Sequence, residues 1–384
     1  MVTGLIKVNI GVDATRNRSG GAVAHVKGII LHYEHGKYDI NKIVLWGYKD
    51  LLDQLPNYDW LIKIEPECTS KNIISQLWWQ FYSLPKEAKK HGCNVLFNTD
   101  AGTVCTFTPC VTLSQDMLSF EKGEMDRYWF GKSWLRLFIL KYVQLSSLKR
   151  ANVALFLTDY ARKTIEAHTR GFKSTIVVNH GINERFLRVE KPEVATDENV
   201  LKIVYISNAA MYKHQWKVVE AVDILNKYGV HSQLLLVGGG QGTAQELLDR
   251  AIERFDPKKS FVIQLPFVEN EELPEILAKS HVFVFASSCE NMPITLMEGM
   301  ASGLPVACSN RGPMPEVLQN TGSYFDPENP DSIFDAILKI KNEEKLGIDK
   351  NRKSRLLSQS YTWKNCSEET WKILSEVSKN NNYT

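Results

Sequence analysis

No Cys-x-x-Cys pair occurs anywhere in this 384-residue chain. Its seven cysteines (Cys68, Cys93, Cys105, Cys110, Cys289, Cys308 and Cys366) are odd in number and scattered, so neither a disulfide framework nor a zinc site is expected. They read as reduced thiols, mostly buried as small hydrophobes, in a reducing compartment. No stretch approaches the roughly 20 consecutive apolar residues that a bilayer-spanning helix needs. Residues 1–13 lack a basic n-region and a long apolar h-region, so they read as a first strand rather than an export signal. A cytoplasmic protein is the expectation. Charge of one sign is also missing: 46 Lys and Arg against 44 Asp and Glu leave a formal net charge of +2, which gives nucleic-acid binding no support. Internal repeats and low-complexity tracts are absent, apart from the asparagines at 380–382.

What is present is ordinary globular material, 43% hydrophobic and 23% charged, in a chain long enough for two domains. Short apolar runs rich in β-branched and aromatic residues alternate with helical patterns. Strands are expected at 6–11, 43–46, 60–64, 95–97, 110–113, 153–157 and 176–178, then at 202–206, 233–237, 261–265, 282–285 and 305–308. Helices fall between them, for example at 21–34, 217–228 and 244–255. This alternation predicts an α/β protein with largely parallel sheets. The polar stretch 188–199, with Pro192 inside it, reads as a linker between domains at 1–187 and 200–362. An amphipathic helix fills most of the last segment, 363–384. The aromatic cluster Trp78-Trp79-Gln80-Phe81-Tyr82 is expected to be core.

The most informative stretch runs from Glu290 through Asn291, Met292, Pro293 and Ile294 to Glu298. The run at 282–285 reads as a buried strand, and Pro293 suits the first position of a following helix. The unit is therefore strand, loop, helix, and a helix N-terminus beside a strand end suits an anion. Acidic residues near helix starts are common in any case, since they complement the dipole. A glycosidase acid/base pair is disfavoured by distance: eight helical residues separate two carboxylates by roughly 12 Å, beyond the roughly 5–9.5 Å that hydrolases use. Glycines at 238–240 follow another strand, but position 243 is Thr, so the dinucleotide fingerprint G-x-G-x-x-G is not met.

The run 262–316, with Glu290 and Glu298 as a paired-Glu motif, resembles the signature of the family 4 retaining glycosyltransferases with the GT-B fold. That fold implies two Rossmann-like domains facing each other across a cleft, with the last helix crossing back to the first domain. The resemblance implies that Glu290 contacts the donor sugar and Glu298 the ribose hydroxyls of the nucleotide. It also implies donor contacts from Asn291, Met292, Pro293, Ile294, Gly238 and Val268, and from Gly20 and Gly21 after Ser19 in the glycine-rich first loop. Lys213 matches the family's diphosphate-gripping Lys, and a strand C-terminus in an α/β sheet is where ligands bind. Asn208 stands where the family has an Arg. Gln115 stands where many relatives have a His, followed by Asp116 at the reaction centre; Asp100 is a second acidic candidate on the acceptor side. Pro293 replaces the Gly often found there and removes one N–H donor.

No Asp-x-Asp pair exists to hold a divalent metal against a diphosphate, so no metal and no cofactor are expected, the nucleotide-sugar being a co-substrate. Lys213 and the helix start near Met292 would supply the positive field instead. The segment 127–150 holds six basic residues, no acid, and several large apolar side chains. It reads either as a basic amphipathic helix on an anionic membrane or as a core helix with its charges in water. The resulting expectation is a retaining hexosyltransferase moving a sugar from a nucleotide diphosphate to a glycan or lipid-linked acceptor. A nucleotide-sugar epimerase or hydrolase of the same fold, or a catalytically silent subunit that binds a partner, are the alternatives.

Overall fold

A computed structural model describes residues 7–18, 20–128, 131–189 and 200–380. Most of the expected linker 188–199 lies outside these residues, as do Ser19, Trp129 and Phe130. The chain divides into two compact units, Met1–Gly181 with Trp363–Thr384, and Ile182–Thr362.

The first unit is built on β1 (Val8–Asp13), β2 (Ile40–Trp46), β3 (Leu61–Ile64), β4 (Val95–Asn98), β5 (Cys110–Leu113), β6 (Val153–Phe156) and β7 (Thr175–Val177). They form one sheet in the order β3-β2-β1-β4-β5-β6-β7, and every pairing is parallel. The second unit holds β8 (Leu201–Ile206), β9 (Ser232–Val237), β10 (Val262–Leu265), β11 (Val282–Phe285), β12 (Val306–Ser309) and β13 (Ser323–Phe325). Its order is β10-β9-β8-β11-β12-β13, again all parallel. Strands such as Val-Phe-Val-Phe in β11 are buried at every position, as a sheet covered on both faces by helices demands. In each sheet the winding reverses once, between β1 and β4 and between β8 and β11. Those two places are where open α/β sheets leave a crevice beyond the strand C-termini.

The units part at Gly181/Ile182 rather than at residue 187. Ile182 bridges to Thr362, its N–H donates to the Tyr361 carbonyl at 3.1 Å, and Phe186 is fully buried. Residues 182–187 are thus packed into the second unit before its first strand begins. The helix Trp363–Asn380 belongs to the first unit, against the helix Gly20–Leu31. Trp371 is fully buried there and its indole N–H donates to the Ile29 carbonyl at 2.8 Å, while Ser367 Oγ donates to the same oxygen at 2.8 Å. Gly28 permits this close approach, because a Cβ would collide with the Trp363 ring.

The strand β13 was not expected, and the aromatic cluster is not core. Trp78, Phe81 and Tyr82 are exposed, Trp78 by 62%. The cause is local: the helix Ile73–Trp78 passes into a π-helical turn, Trp79–Ser83, before continuing as Leu84–Lys90. The wider turn brings Gln80 inside, with Trp79 half-buried against the core, and leaves the other rings in solvent. All seven cysteines are free and buried. Among the described residues no helix is long and apolar enough to cross a membrane.

Candidate active site

At the reversal point of the second sheet, β8 and β11 lie side by side, with Val282 opposite Ile203 and Phe283 opposite Val204. The loops that leave their C-terminal ends are tied together. Ser288 N–H donates to the Tyr212 carbonyl at 2.8 Å, and His214 Nε2 lies 2.8 Å from Ser288 Oγ. Tyr205, the fully buried penultimate residue of β8, donates its hydroxyl to the Lys213 carbonyl at 2.8 Å. His214 takes a left-handed conformation, φ 46°, which turns the chain into the helix Gln215–Lys227.

These ties aim Lys213 at Glu290, 77 residues away, and the two form a hydrogen-bonded ion pair. Their side chains are only 13% and 15% exposed. The Lys213 ammonium also sits 5.1 Å from the Phe285 ring centroid and 5.2 Å from that of Tyr212, which favours a desolvated cation. A cation and a carboxylate thus meet at a strand-end crevice. Such a pair can bind an anionic leaving group on one side and hydroxyls on the other.

Glu298 lies on the helix Ile294–Ala301, is 5% exposed, and accepts a hydrogen bond from Asn270 Nδ2 at 3.1 Å. Burial pushes its carboxyl up to about 7, against the opposing hydrogen bond from Asn270. The helix presses hard on the sheet, since a Cβ on Gly299 would stand 2.6 Å from the Phe283 ring. Pro293 is the cap of this helix, not its first residue: its ψ of 90° is extended, and Ile294 opens the helix. Asn291 and Met292 are buried in the loop between Glu290 and that cap.

The remaining donor-side candidates distribute as follows. Gly238, at φ 117°, lets the loop after β9 meet the end of β8, because a Cβ there would lie 2.6 Å from the Ser207 carbonyl oxygen. That is a backbone-packing role. Asn208 is exposed just past β8, and Val268 is half-buried past β10. Gly20, at φ 58°, and Gly21 open the first helix of the other unit.

At the reversal point of the first sheet, Asp100 follows β4 and stands 3.9 Å from Arg16 Nε, with Gly102 N–H bonded to its carboxylate. Gln115, past β5, donates to the Thr99 carbonyl at 2.7 Å. Asp116 accepts the Leu118 N–H at 2.9 Å; burial raises its pKa, and nearby Asp100 adds to the rise. The structure therefore gathers all three sequence candidates around one crevice. It adds one that was missed, Asp13, which ends β1. Asp13 is buried, receives Thr15 Oγ1 and Gln80 Nε2 at 2.7 Å each, and has its pKa raised by burial. Its signal was a polar residue two places beyond the apolar run 6–11, at the end of the stretch read as the first strand. Among the described residues no group of three or more His, Cys, Asp or Glu is placed to hold a metal ion.

Comparison with known proteins gives a family match within the second unit and a fold match over nearly the whole chain. Residues 188–356 match the family described as glycosyl transferases group 1. The O-antigen chain mannosyltransferase B of Escherichia coli is 28% identical over 167 residues, which are 44% of each chain. The amylovoran biosynthesis glycosyltransferase AmsK of Erwinia amylovora is 30% identical over 36% of this chain and 35% of its own. The matched stretches thus span less than half the length of these relatives. Over nearly the whole chain the fold is that of solved GT-B structures. Sucrose-phosphate synthase from Thermosynechococcus elongatus superposes with a TM-score of 0.78 at 14% identity, covering 96% of this chain and 99% of that one. The Anabaena protein HepE, solved with UDP and glucose, gives 0.71 at 16% identity, covering 95% and 99%.

Proposed function

From the premise that residues 188–356 carry a glycosyl transferases group 1 domain on a GT-B fold, we propose that this protein is a retaining, metal-independent glycosyltransferase. It moves a hexose-type sugar from a nucleotide diphosphate to a glycan or lipid-linked acceptor. The observation that carries the reading is the Lys213–Glu290 pair at the crevice between β8 and β11, with Glu298 buried on the adjoining helix. Solved neighbours of the same fold hold UDP and UDP-glucose, which supports a nucleotide-sugar as the donor.

In the transfer the bond from the anomeric carbon to the diphosphate breaks and the acceptor oxygen takes its place, the hydroxyl proton leaving with the phosphate. Negative charge grows on the departing diphosphate, so Lys213 acts most strongly in the transition state. Glu290 orients the sugar hydroxyls and Glu298, once ionised, the ribose. Metal independence is supported by the lack of any Asp-x-Asp pair together with this fixed cation.

A lipid-linked acceptor is supported by the helix Lys132–Arg150. It exposes Leu135, Phe138, Ile139 and Tyr142, flanked by exposed Lys132 and Arg136, as a helix lying on the anionic cytoplasmic face of a membrane would. Lys141 is not on that stripe, since it sits half-buried with its ammonium 5.6 Å from the Phe120 ring centroid.

A thermal-shift screen of UDP-, GDP-, dTDP- and ADP-sugars tests the reading. A ligand at about 100 times its Kd adds about 2.7 kcal/mol of stability, so one nucleotide class should raise the melting temperature clearly. No shift with any of them would refute donor binding.

A further inference from the structure

Past the C-terminal end of β3, the edge strand of the first sheet, lies an open groove of about 650 Å³. That is within the roughly 300–1,000 Å³ of small-ligand sites. Its walls are the turn Glu67–Ser70 and the helical stretch that carries the π-helical turn. Glu65, Glu67, Lys71, Ile74, Trp78 and Glu87 are among the lining residues. Ile74 is 72% exposed and Trp78 stands beside Tyr82, ring centroids 4.3 Å apart, so an apolar, aromatic edge faces water. At the floor, Glu87 is held by two indoles: Trp46 Nε1 at 2.8 Å and Trp79 Nε1 at 3.0 Å, one to each carboxylate oxygen. Each oxygen keeps a further lone pair for another donor.

The groove connects to the crevice of the same unit. Arg18, from the loop after β1, donates to the Thr69 carbonyl at 2.7 Å in the groove wall. Gln80, in the π-turn, reaches Asp13 at the end of β1. This one turn thus sends Gln80 to the crevice and Trp79 to the groove floor, with Trp78 just before it on the groove's edge, and π-turns of this kind occur frequently at functional sites.

Rigid aromatic faces beside carboxylates that accept hydroxyl protons are the surface a pyranose presents its two sides to: C–H groups on the ring face, O–H groups on the edge. Three carboxylates face the Lys71 ammonium, which pairs with Glu67 at 3.5 Å, and the Arg18 guanidinium on the wall, so the groove is left net acidic and disfavours phosphate, sulfate and uronate. We propose that this groove binds a neutral oligosaccharide, the part of a glycan acceptor chain that lies beyond the sugar being extended. The proposal rests on the glycosyltransferase reading for its biological meaning, but binding itself needs no donor and no turnover.

The test is calorimetric titration of the full chain with neutral hexasaccharides of mannose, glucose and N-acetylglucosamine, alongside a hexuronic acid oligomer. At least one neutral oligomer should bind saturably and the uronic acid oligomer should not. Trp78→Ala should weaken that binding about tenfold, the loss of roughly one stacked ring, with Trp78→Tyr recovering part of it. Trp78 is exposed, so its replacement leaves the fold intact; an unchanged circular dichroism spectrum and melting temperature of the variant check this. Glu67→Gln should weaken binding by a smaller factor. Failure of every neutral oligomer to bind, or binding indifferent to Trp78 and Glu67, overturns the groove assignment even if nucleotide-sugars bind. Oligosaccharide binding with no nucleotide-sugar binding would leave the groove standing and overturn the glycosyltransferase reading instead.

Discussion

Glu298 is where pH should act most visibly, and replacing it with Gln isolates the effect. Its carboxyl is buried against the Asn270 amide and titrates at about 7, against 4.5 for an ordinary glutamate. Between those two values the unfolded chain carries an ionised glutamate while the folded chain binds a proton. The contribution to stability is therefore fully present below 4.5 and is lost as pH rises through 7. A displacement of about 2.5 units at about 1.36 kcal/mol each makes wild type up to about 3 kcal/mol less stable at pH 8 than at acid pH from this group alone. Glu298→Gln keeps the shape and removes the titration. Urea unfolding of both proteins from pH 4.5 to 8.5, following the transition of the second unit, should show similar stability at the acid end. The variant should gain up to about 3 kcal/mol at the alkaline end. Nucleotide affinity should do the reverse. If the ionised carboxylate receives the ribose hydroxyls, wild-type affinity falls about tenfold per pH unit below about 7, while the variant binds weakly at every pH. A stability gap that does not change with pH, or that widens toward acid, refutes the assignment of a neutral, buried Glu298.

Lys213→Ala should cut kcat by on the order of a hundredfold or more with a smaller rise in the donor KM, measured by steady-state kinetics; a change confined to KM would make Lys213 a uniform binding residue. The same change leaves Glu290 unpaired in a largely buried place, so the melting temperature should drop, and adding Glu290→Gln should restore part of it. Activity should survive EDTA, and loss that magnesium or manganese restores would overturn metal independence. Wild-type protein should sediment with anionic vesicles at low salt and release at high salt, with Lys132→Glu/Arg136→Glu abolishing sedimentation and sparing donor binding; no sedimentation of wild type would leave Lys132–Arg150 an ordinary surface helix.

The sheets were legible because their strands are short apolar runs with helical stretches between, a pattern that only parallel winding explains. β11 was read to the residue, whereas β1 was cut short because Asp13 is polar and strand ends follow hydrogen bonds, not hydropathy. β13 has three residues and too little pattern to see. Trp78, Phe81 and Tyr82 were misread because aromatic content alone does not say which way a ring points, and the π-turn that decides it has no mark in composition. At the site, strand–loop–helix order located Glu290 and Glu298, and strand-end position located Lys213. The contact between Lys213 and Glu290, the ties from Tyr205, His214 and Ser288, and Asn270 on Glu298 join residues far apart in the chain, and no local pattern encodes them. The role of Gly238 was also hidden, since sequence spacing cannot separate a glycine that meets backbone from one that meets a ligand.

The helix Trp363–Asn380 has a consequence for synthesis. Its Trp371 and Ser367 close over Ile29, and a buried Trp costs about 3–5 kcal/mol when truncated to Ala. The second unit is one continuous stretch and can fold as soon as residue 362 has left the ribosome. The first unit, whose seven strands are made earliest, still lacks the cover for Gly20–Leu31 at that moment. Domains usually fold in the order of their synthesis. Here the first unit's strands are made first, yet its packing waits for residues 363–380, which are made after the whole second unit.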